Sequence, residues 1–234
     1  MIINGGARKN ELILSLDNKL FSDLSKNLKE MVKTIFPDIK NKDIISCKAV
    51  NSINHNMILA VNGISKNISV KTGNTSLIFK DKMIILLSQL LVLKVSNNTI
   101  SSLIRYHRGY VSSETGFKSF GSMLKEDFKE EIECVKNEFK NVELLSKLID
   151  LILLKEKNGV DIDYFYYGNA QIGRVMSASE LKRRIIESND NYPHDFMKIG
   201  PFNFLPITRN ICNDEGSKGC LLRINNMGKY FISN

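Results

Sequence analysis

A turn signal in the first third of the chain places the strongest constraint on its fold. Residues 57–71 run MILAVNGISKNISVK, with Asn62-Gly63 between two β-prone segments. Asn-Gly favours the tight turn of a two-residue hairpin because both residues tolerate a positive φ. The sequence therefore predicts antiparallel strands over 57–61 and 67–71.

The remaining patterns alternate between helix and strand. Apolar residues at helical spacing from Asn10 to Phe36 predict one long helix that ends at Pro37. Residues 123–157 predict two helices broken near Asn141. Further strands are expected over 43–50, 162–168, 195–207 and 219–225, and further helices over 79–95, 98–107 and 177–188. This order predicts an α/β fold in which helices pack on a sheet.

Composition limits the class of protein and of partner. At 234 residues, with 43% hydrophobic and 25% charged residues, the chain resembles an ordinary globular protein. We expect a single domain over 1–234, with a DNA-contacting lobe from about residue 160. The net charge of +8 suggests a polyanionic partner. The alternative is that an AT-rich genome, with its Lys-, Asn- and Ile-rich usage, produces the same charge.

The spacing of the cysteines and the length of the apolar runs indicate the cellular compartment to expect. The four cysteines, Cys47, Cys134, Cys212 and Cys220, lack zinc-finger spacing, which favours reduced thiols in a cytoplasmic protein. The first ten residues do not have the apolar run of a secretory signal. The longest apolar stretch, residues 83–95, is shorter than a bilayer span and is expected to form a buried helix.

Polar residues at the ends of the predicted hairpin form a candidate site. Ser69 and Lys71 point to the same side of their strand, and antiparallel pairing brings Asn56 toward the same end. Metal-dependent nucleases use such an arrangement: an acidic residue on one strand, a second oxygen two positions before a lysine, and often a glutamate from the first helix.

Residues 56–73, NMILAVNGISKNISVKTG, resemble the PD-(D/E)xK restriction-endonuclease-like family, in a bacterial and phage branch whose motif runs S-x-K-x-G. The similarity continues through LIRYHRGY, DYFYYGN, IGPFNFLPITRN and LLRINNMGKY. It implies a central mixed β-sheet flanked by helices, and a type II restriction-like endonuclease that hydrolyses duplex DNA with Mg²⁺. A homodimer is expected if the target is palindromic.

The resemblance also implies a role for particular residues. Glu11 corresponds to the first-helix glutamate, Asn56 to the first acidic position, Ser69 to the second, and Lys71 to the lysine, with Glu11 and Asn56 as metal ligands. Asn56 departs from the pattern because an amide brings no charge. The chain is then a naturally weakened or inactive relative, or carries an Asn introduced to trap a complex. The alternative function is a catalytically inactive DNA-binding protein of the same fold.

Basic residues outside the hairpin are candidates for DNA contact. Arg105, His107 and Arg108 alternate with tyrosines in RYHRGY, and Arg209 and Arg223 lie near predicted strand ends. Each has a structural alternative. Cations at a helix end complement the helix dipole, and a strand-end arginine is commonly a surface ion-pair partner. In the same way, Glu11 fits a solvated helix face and Lys71 an edge strand.

Overall fold

The structure is a computed structural model, and it describes residues 5–53, 56–73, 75–113, 127–156, 159–188, 197–207 and 219–232. The α-helices of these residues are α1 Gly5–Leu16, α2 Lys26–Ile35, α3 Met83–Val92, α4 Asn97–Ser113, α5 Lys129–Glu138, α6 Val142–Ile149 and α7 Ala178–Glu187. The strands are β1 Lys19–Leu20, β2 Ile44–Ala49, β3 Met57–Val61, β4 Ile64–Lys71, β5 Thr75–Lys82, β6 Tyr164–Gly168, β7 Gly173–Ser177, β8 Lys198–Ile199, β9 Phe202–Ile207 and β10 Gly219–Asn225.

The chain forms two compact units, and each is built from separate stretches of sequence. The first unit comprises 1–76, 154–184 and 226–234, and the second comprises 77–153 and 185–225. The observed division thus assigns residues 154–184 to the same unit as the N-terminal part of the chain. A single domain with a DNA-contacting lobe from about residue 160 stays a prediction.

The first unit contains a six-stranded sheet in the order β1-β2-β3-β4-β6-β7. Neighbouring strands are antiparallel except for β4 and β6, which run parallel, so the sheet is mixed. The predicted hairpin is confirmed, with Asn62 and Gly63 between β3 and β4 at φ 50° and 79°. The α/β class, a mixed sheet flanked by helices, is therefore observed.

Helices α1 and α2 cover one face of this sheet. Leu12 of α1 and Val32 of α2 belong to the same buried cluster as Ile68 and Val70 of β4. Burial of these aliphatic side chains supplies the main favourable free energy of this packing. Because side chains alternate across a strand, Ser69 and Lys71 belong to the opposite face.

The expected single helix from Asn10 to Phe36 is wrong. Two helices flank a short strand that pairs Lys19 with Ile45 of β2. Asn18 adopts φ 56°, a left-handed conformation that ends α1 and that asparagine tolerates. The apolar spacing continued through the break because each segment packs on the same core, so periodicity alone could not reveal it.

The second unit has a four-stranded sheet in the order β5-β10-β9-β8, with α3 against α4 and β10. The expected helix over 79–95 starts later, at Met83, because residues 75–82 form β5. The predicted break near Asn141 is confirmed, and the Asn141 side chain caps α6 by accepting from the Leu144 N–H. None of the helices in the described ranges is long and apolar enough to cross a bilayer.

Three of the four cysteines lie in the described ranges. Cys47 and Cys220 are buried free thiols, and Cys134 is a half-buried one. Burial raises the pKa of Cys47 and of Cys220 to about 12, so both stay protonated near neutral pH. The predicted reduced state agrees with these three residues, and Cys212 lies outside the described ranges.

Asn27 of α2 holds the turn between β6 and β7. Its Nδ2 donates to the Tyr166 hydroxyl at 2.8 Å and to the Ala170 carbonyl at 3.3 Å, and its Oδ1 accepts from the Gly173 N–H at 3.1 Å. A Cβ at Gly173 would lie 2.1 Å from the Tyr166 hydroxyl, so only glycine fits beside this ring. One side chain therefore joins the helix layer to the edge of the sheet.

We expect Asn27→Ala to lower the free energy of unfolding by about 1–3 kcal/mol, because it leaves partly buried polar groups without their partners. Urea denaturation of the full chain measures this change. Asn10→Ala, at an exposed position of α1, is the matched control and should not destabilise. Equal stability of Asn27→Ala and the parent chain would show that the three bonds contribute nothing.

Candidate active site

The end of the β3–β4 hairpin brings three of the predicted residues together. Met57 pairs with Ile68, and the Asn56 N–H donates to the Ile68 carbonyl at 3.1 Å. This register sets Asn56 opposite Ser69, and residues directly opposite in an antiparallel pair share a face. Asn56, Ser69 and Lys71 therefore lie on one face, opposite to the face that α1 and α2 cover.

Both the nitrogen and the oxygen of the Asn56 side-chain amide form hydrogen bonds with main-chain groups. Its Nδ2 donates to the Ser52 carbonyl at 2.8 Å, and its Oδ1 accepts from the Val70 N–H at 2.8 Å. The residue is 5% exposed, so leaving either group unpaired would carry a desolvation cost. Asn56 thus fixes the segment before β3 against the end of β4.

Lys71 is a buried amine at the last position of β4. It is 5% exposed, and its Nζ donates to the Ile53 carbonyl at 3.1 Å. Burial, and to a lesser extent the nearby Lys9 charge, lower the pKa of Lys71, Glu156 acts in the opposite direction, and the resulting pKa is about 7. An amine with such a pKa is partly neutral near pH 7 and is able to accept a proton.

The Ser69 hydroxyl lacks a hydrogen-bond partner among the residues that the structure describes. Its side chain is fully buried, and within the described part of the chain its Oγ makes no hydrogen bond. Such groups are rare in folded proteins because an unmade hydrogen bond costs about 1–3 kcal/mol. This unmade hydrogen bond lies two residues before Lys71, on the same face of β4.

Sequence reasoning missed Glu156 and Lys9. The Glu156 carboxylate accepts a hydrogen bond from the Ser52 hydroxyl, and its charge acts on Lys71. Lys9 lies on α1, half-buried, and burial lowers its pKa. Glu156 is 85 positions beyond Lys71 in the numbering, outside any local motif. Only the pairing of β6 with β4 brings its segment to this place.

Glu11 lies near the same end of the sheet with a different partner. It is exposed on α1, and its Oε1 accepts from the Gln171 side chain at 2.5 Å. Gln171 follows β6, in which Tyr167 pairs with Lys71. The structure therefore places Glu11 against the β6–β7 turn, and a metal-binding role for it stays a prediction.

The donor set does not fit a Mg²⁺ site as the chain stands. Mg²⁺ prefers carboxylate oxygens in octahedral geometry. Asn56 offers an amide oxygen that already accepts from Val70, and Glu156 is bound by Ser52. No group of three or more metal-binding side chains occurs within the ranges that the structure describes.

The predicted DNA-contacting residues have varied surroundings. Arg105 is exposed and its Nε donates to Glu131 at 2.9 Å. His107 is buried, with Nε2 3.1 Å from the Gly219 carbonyl, and so ties α4 to β10. Arg108 is exposed on α4 and Arg223 half-buried on β10. Arg209 lies outside the described residues, and DNA contact by these residues stays a prediction.

Comparison with known proteins gives a likeness at the level of structure. No protein-family model matches the chain, and no curated protein matches its sequence. Among solved structures, the chain is similar to the restriction endonuclease MspI in complex with its cognate DNA, with a TM-score of 0.48 and 10% identity over 86% of this chain and 78% of that one.

The lowered pKa of Lys71 predicts a pH-dependent stability difference. Between about pH 7 and 10.5 the unfolded chain holds a proton that the folded amine has lost, so this lysine's contribution to the free energy of unfolding rises with pH. The stability of the parent chain minus that of Lys71→Met should rise over this window by up to about 1.4 kcal/mol per pH unit.

Urea denaturation of both proteins from pH 7 to pH 10 measures this difference. Lys26→Met, at an exposed position of α2, serves as the matched control for removing a lysine. A difference between parent and Lys71→Met that stays constant with pH would show that burial leaves the Lys71 titration unchanged.

Proposed function

We propose that this chain binds duplex DNA and that Asn56, Ser69 and Lys71 form a phosphodiester-hydrolysing centre attenuated by the amide at position 56. One observation carries the proposal. Beside a buried lysine of lowered pKa, the Asn56 amide bonds to the Ser52 carbonyl and the Val70 N–H, where a carboxylate of a nuclease site would stand. Compared with a carboxylate at position 56, the amide keeps the geometry of the hairpin end but brings no negative charge.

The chemistry follows from what these side chains are able to do. Neutral Lys71 takes a proton from a water molecule as the water oxygen attacks phosphorus, and the bond from phosphorus to the leaving sugar oxygen breaks. The leaving oxygen takes up a proton from a solvent water molecule, and the Lys71 ammonium returns its proton to the solvent. The Ser69 hydroxyl, which lacks a protein partner within the described residues, orients the water or a phosphate oxygen. The charge of Lys9, which acts on Lys71, favours a phosphate at the same place.

Attenuation follows from the missing charge. A phosphodiester is an anion, so its attack by water needs positive charge beside the phosphoryl oxygens. In hydrolases of the proposed class, carboxylates bind the divalent ion that supplies it. In the Asn56→Asp variant the carboxylate at position 56 and Glu156, which both lie beside Ser52, would be the groups that hold a divalent ion, and the ion would supply this positive charge. We therefore expect DNA cleavage by the Asn56→Asp variant to depend on Mg²⁺.

A catalytically inactive DNA-binding protein is the second candidate. The same two hydrogen bonds of Asn56 favour it, because they show that the amide is well accommodated in the fold. In that case the net charge of +8 would serve DNA binding alone. The two candidates differ in whether a carboxylate at position 56 produces cleavage.

Asn56→Asp should produce Mg²⁺-dependent cleavage of duplex DNA, at a rate at least about 100-fold above that of the parent chain, because it restores the charge that positions the ion. Adding Lys71→Ala to Asn56→Asp should abolish this cleavage. Digestion of supercoiled plasmid with and without chelator measures both. Asn41→Asp, in an exposed loop, adds the same charge away from the site as a control.

If Asn56→Asp binds DNA but does not cleave it under any divalent ion, the hydrolytic proposal fails and the DNA-binding candidate remains. Digestion of structured RNA in parallel tests whether the substrate is RNA. Circular dichroism of each variant shows whether the fold survives the substitution.

DNA affinity of the parent chain should fall by at least about tenfold between 50 and 200 mM salt, since phosphate neutralisation releases counterions. Fluorescence anisotropy with a labelled duplex measures it. Lys71→Met should retain this dependence, because one buried amine contributes little to the overall electrostatic attraction. Affinity that is independent of salt would contradict phosphate recognition.

A further inference from the structure

Helix α3 is apolar on two opposite faces. Its buried residues are Met83, Leu86, Leu87 and Leu90, and they belong to the core of the second unit. Four more aliphatic side chains are exposed: Ile84 by 65%, Ile85 by 39%, Leu91 by 51% and Val92 by 78%. A surface helix normally carries polar residues on its outer face. The outer face of α3 is therefore unusual for a helix that faces water.

The outer face is also without charge. Residues 83–93, MIILLSQLLVL, include no charged residue, and Ser88 is the polar member of the exposed stripe. The Ser88 Oγ donates to the Ile85 carbonyl of its own helix at 2.8 Å. The hydroxyl thus has a partner within the helix and does not require water. A partner of this face must be similarly apolar and uncharged.

The pattern of the outer face is symmetric about Ser88. Ile84 and Ile85 precede Ser88 by four and three positions, and Leu91 and Val92 follow it by three and four. In an isologous two-fold interface, a residue that contacts a second residue is contacted by it in return. A helix face that is symmetric about its own centre meets this requirement when it pairs antiparallel with itself. The small serine at the centre allows two helices to approach closely.

The size of the patch suits a dimer. The four exposed side chains present roughly 400 Å² of apolar surface, within the range of patches that are often functional. Two such patches together would remove about 800 Å² of apolar surface from water. A standard interface of about 1,600 Å², a little over half of it non-polar, needs a similar apolar area.

We propose that the outer face of α3 is a homodimer interface, in which α3 of one copy packs antiparallel against α3 of a second copy about a two-fold axis at Ser88. In this arrangement Ile84 faces Val92 of the partner subunit, and Ile85 faces Leu91 of the partner subunit. The apolar stripe itself carries no charge, and the same register brings Lys82 opposite Lys94 of the partner subunit at each end, where salt screens the repulsion between the two ammonium groups. The proposal does not depend on the proposed function.

The test is the oligomeric state of the full chain, measured by sedimentation equilibrium at high salt, where nucleic-acid contacts weaken and apolar contacts persist. The parent chain should sediment at twice its monomer mass. Ile84→Lys and Val92→Glu should each raise the dissociation constant of the dimer by on the order of 100-fold, because each puts a charge against an apolar partner. Leu14→Lys, at an exposed position of α1, is the matched control and should leave the dimer intact.

Mixing Ile84→Lys with Val92→Glu tests the antiparallel register itself. At one end of a mixed dimer the introduced ammonium would face the introduced carboxylate, and the other end would keep its aliphatic contact. Dimerisation should therefore recover in the mixture at low salt and weaken as salt rises. Circular dichroism verifies that each single variant is folded.

Several results would overturn the proposal. One is a parent chain that stays monomeric up to about 100 μM, well above the range of specific dimers. A second is a dimer that both charged variants leave unchanged, since this would place the interface elsewhere. A third is loss of the dimer without recovery in the mixture, which would exclude the antiparallel pairing about Ser88. Hydrogen exchange that is slow at α3 in a monomer would instead indicate a cover from the same chain.

Discussion

The pairing of β3 with β4 is the interaction on which the candidate site depends. Its register sets Asn56 opposite Ser69 and orients Lys71 away from the layer of α1 and α2. A shift of one residue would turn Ser69 and Lys71 into the aliphatic core and move Ile68 and Val70 to the face that carries Asn56. The hydrophobic pattern of the hairpin therefore fixes the geometry of its polar residues. The same strand register buries the aliphatic side chains and sets the positions of Asn56, Ser69 and Lys71.

Burial gives Lys71 its distinctive chemistry. A charged ammonium loses solvation when it is enclosed, and the hydrogen bond to the Ile53 carbonyl restores part of it. Lys9 and Glu156 act on the amine in opposite directions, so its proton affinity reflects groups from three separate parts of the chain. The environment of Lys71 is built by the tertiary fold, and its residue type alone would not indicate it.

Two further features of the fold illustrate how polar groups stabilise particular connections. Asn27 bonds a helix to a sheet-edge turn, and Asn56 bonds a segment before a strand to the neighbouring strand. In both cases a side-chain amide uses its donor and its acceptor at the same time on main-chain or hydroxyl groups. An amide is suited to this because a carboxylate at neutral pH only accepts. The same property that makes Asn56 a good structural residue makes it a weak metal ligand.

Local patterns in the sequence determined the hairpin at Asn62-Gly63, the capped break at Asn141 and the shared face of Ser69 and Lys71, because each depends on neighbouring residues in the chain.

The tertiary structure decided where α1 ends, since the pairing of Lys19 with Ile45 spans 26 positions. It also decided that Glu156 and Lys9 act on Lys71, and that Glu11 bonds to Gln171. Those contacts depend on which strands become neighbours. The spacing of apolar residues along the sequence does not indicate contacts between distant segments. The apolar run of 83–95 is a similar case: its composition predicts burial, and only the packed fold shows which of its two faces packs within the chain.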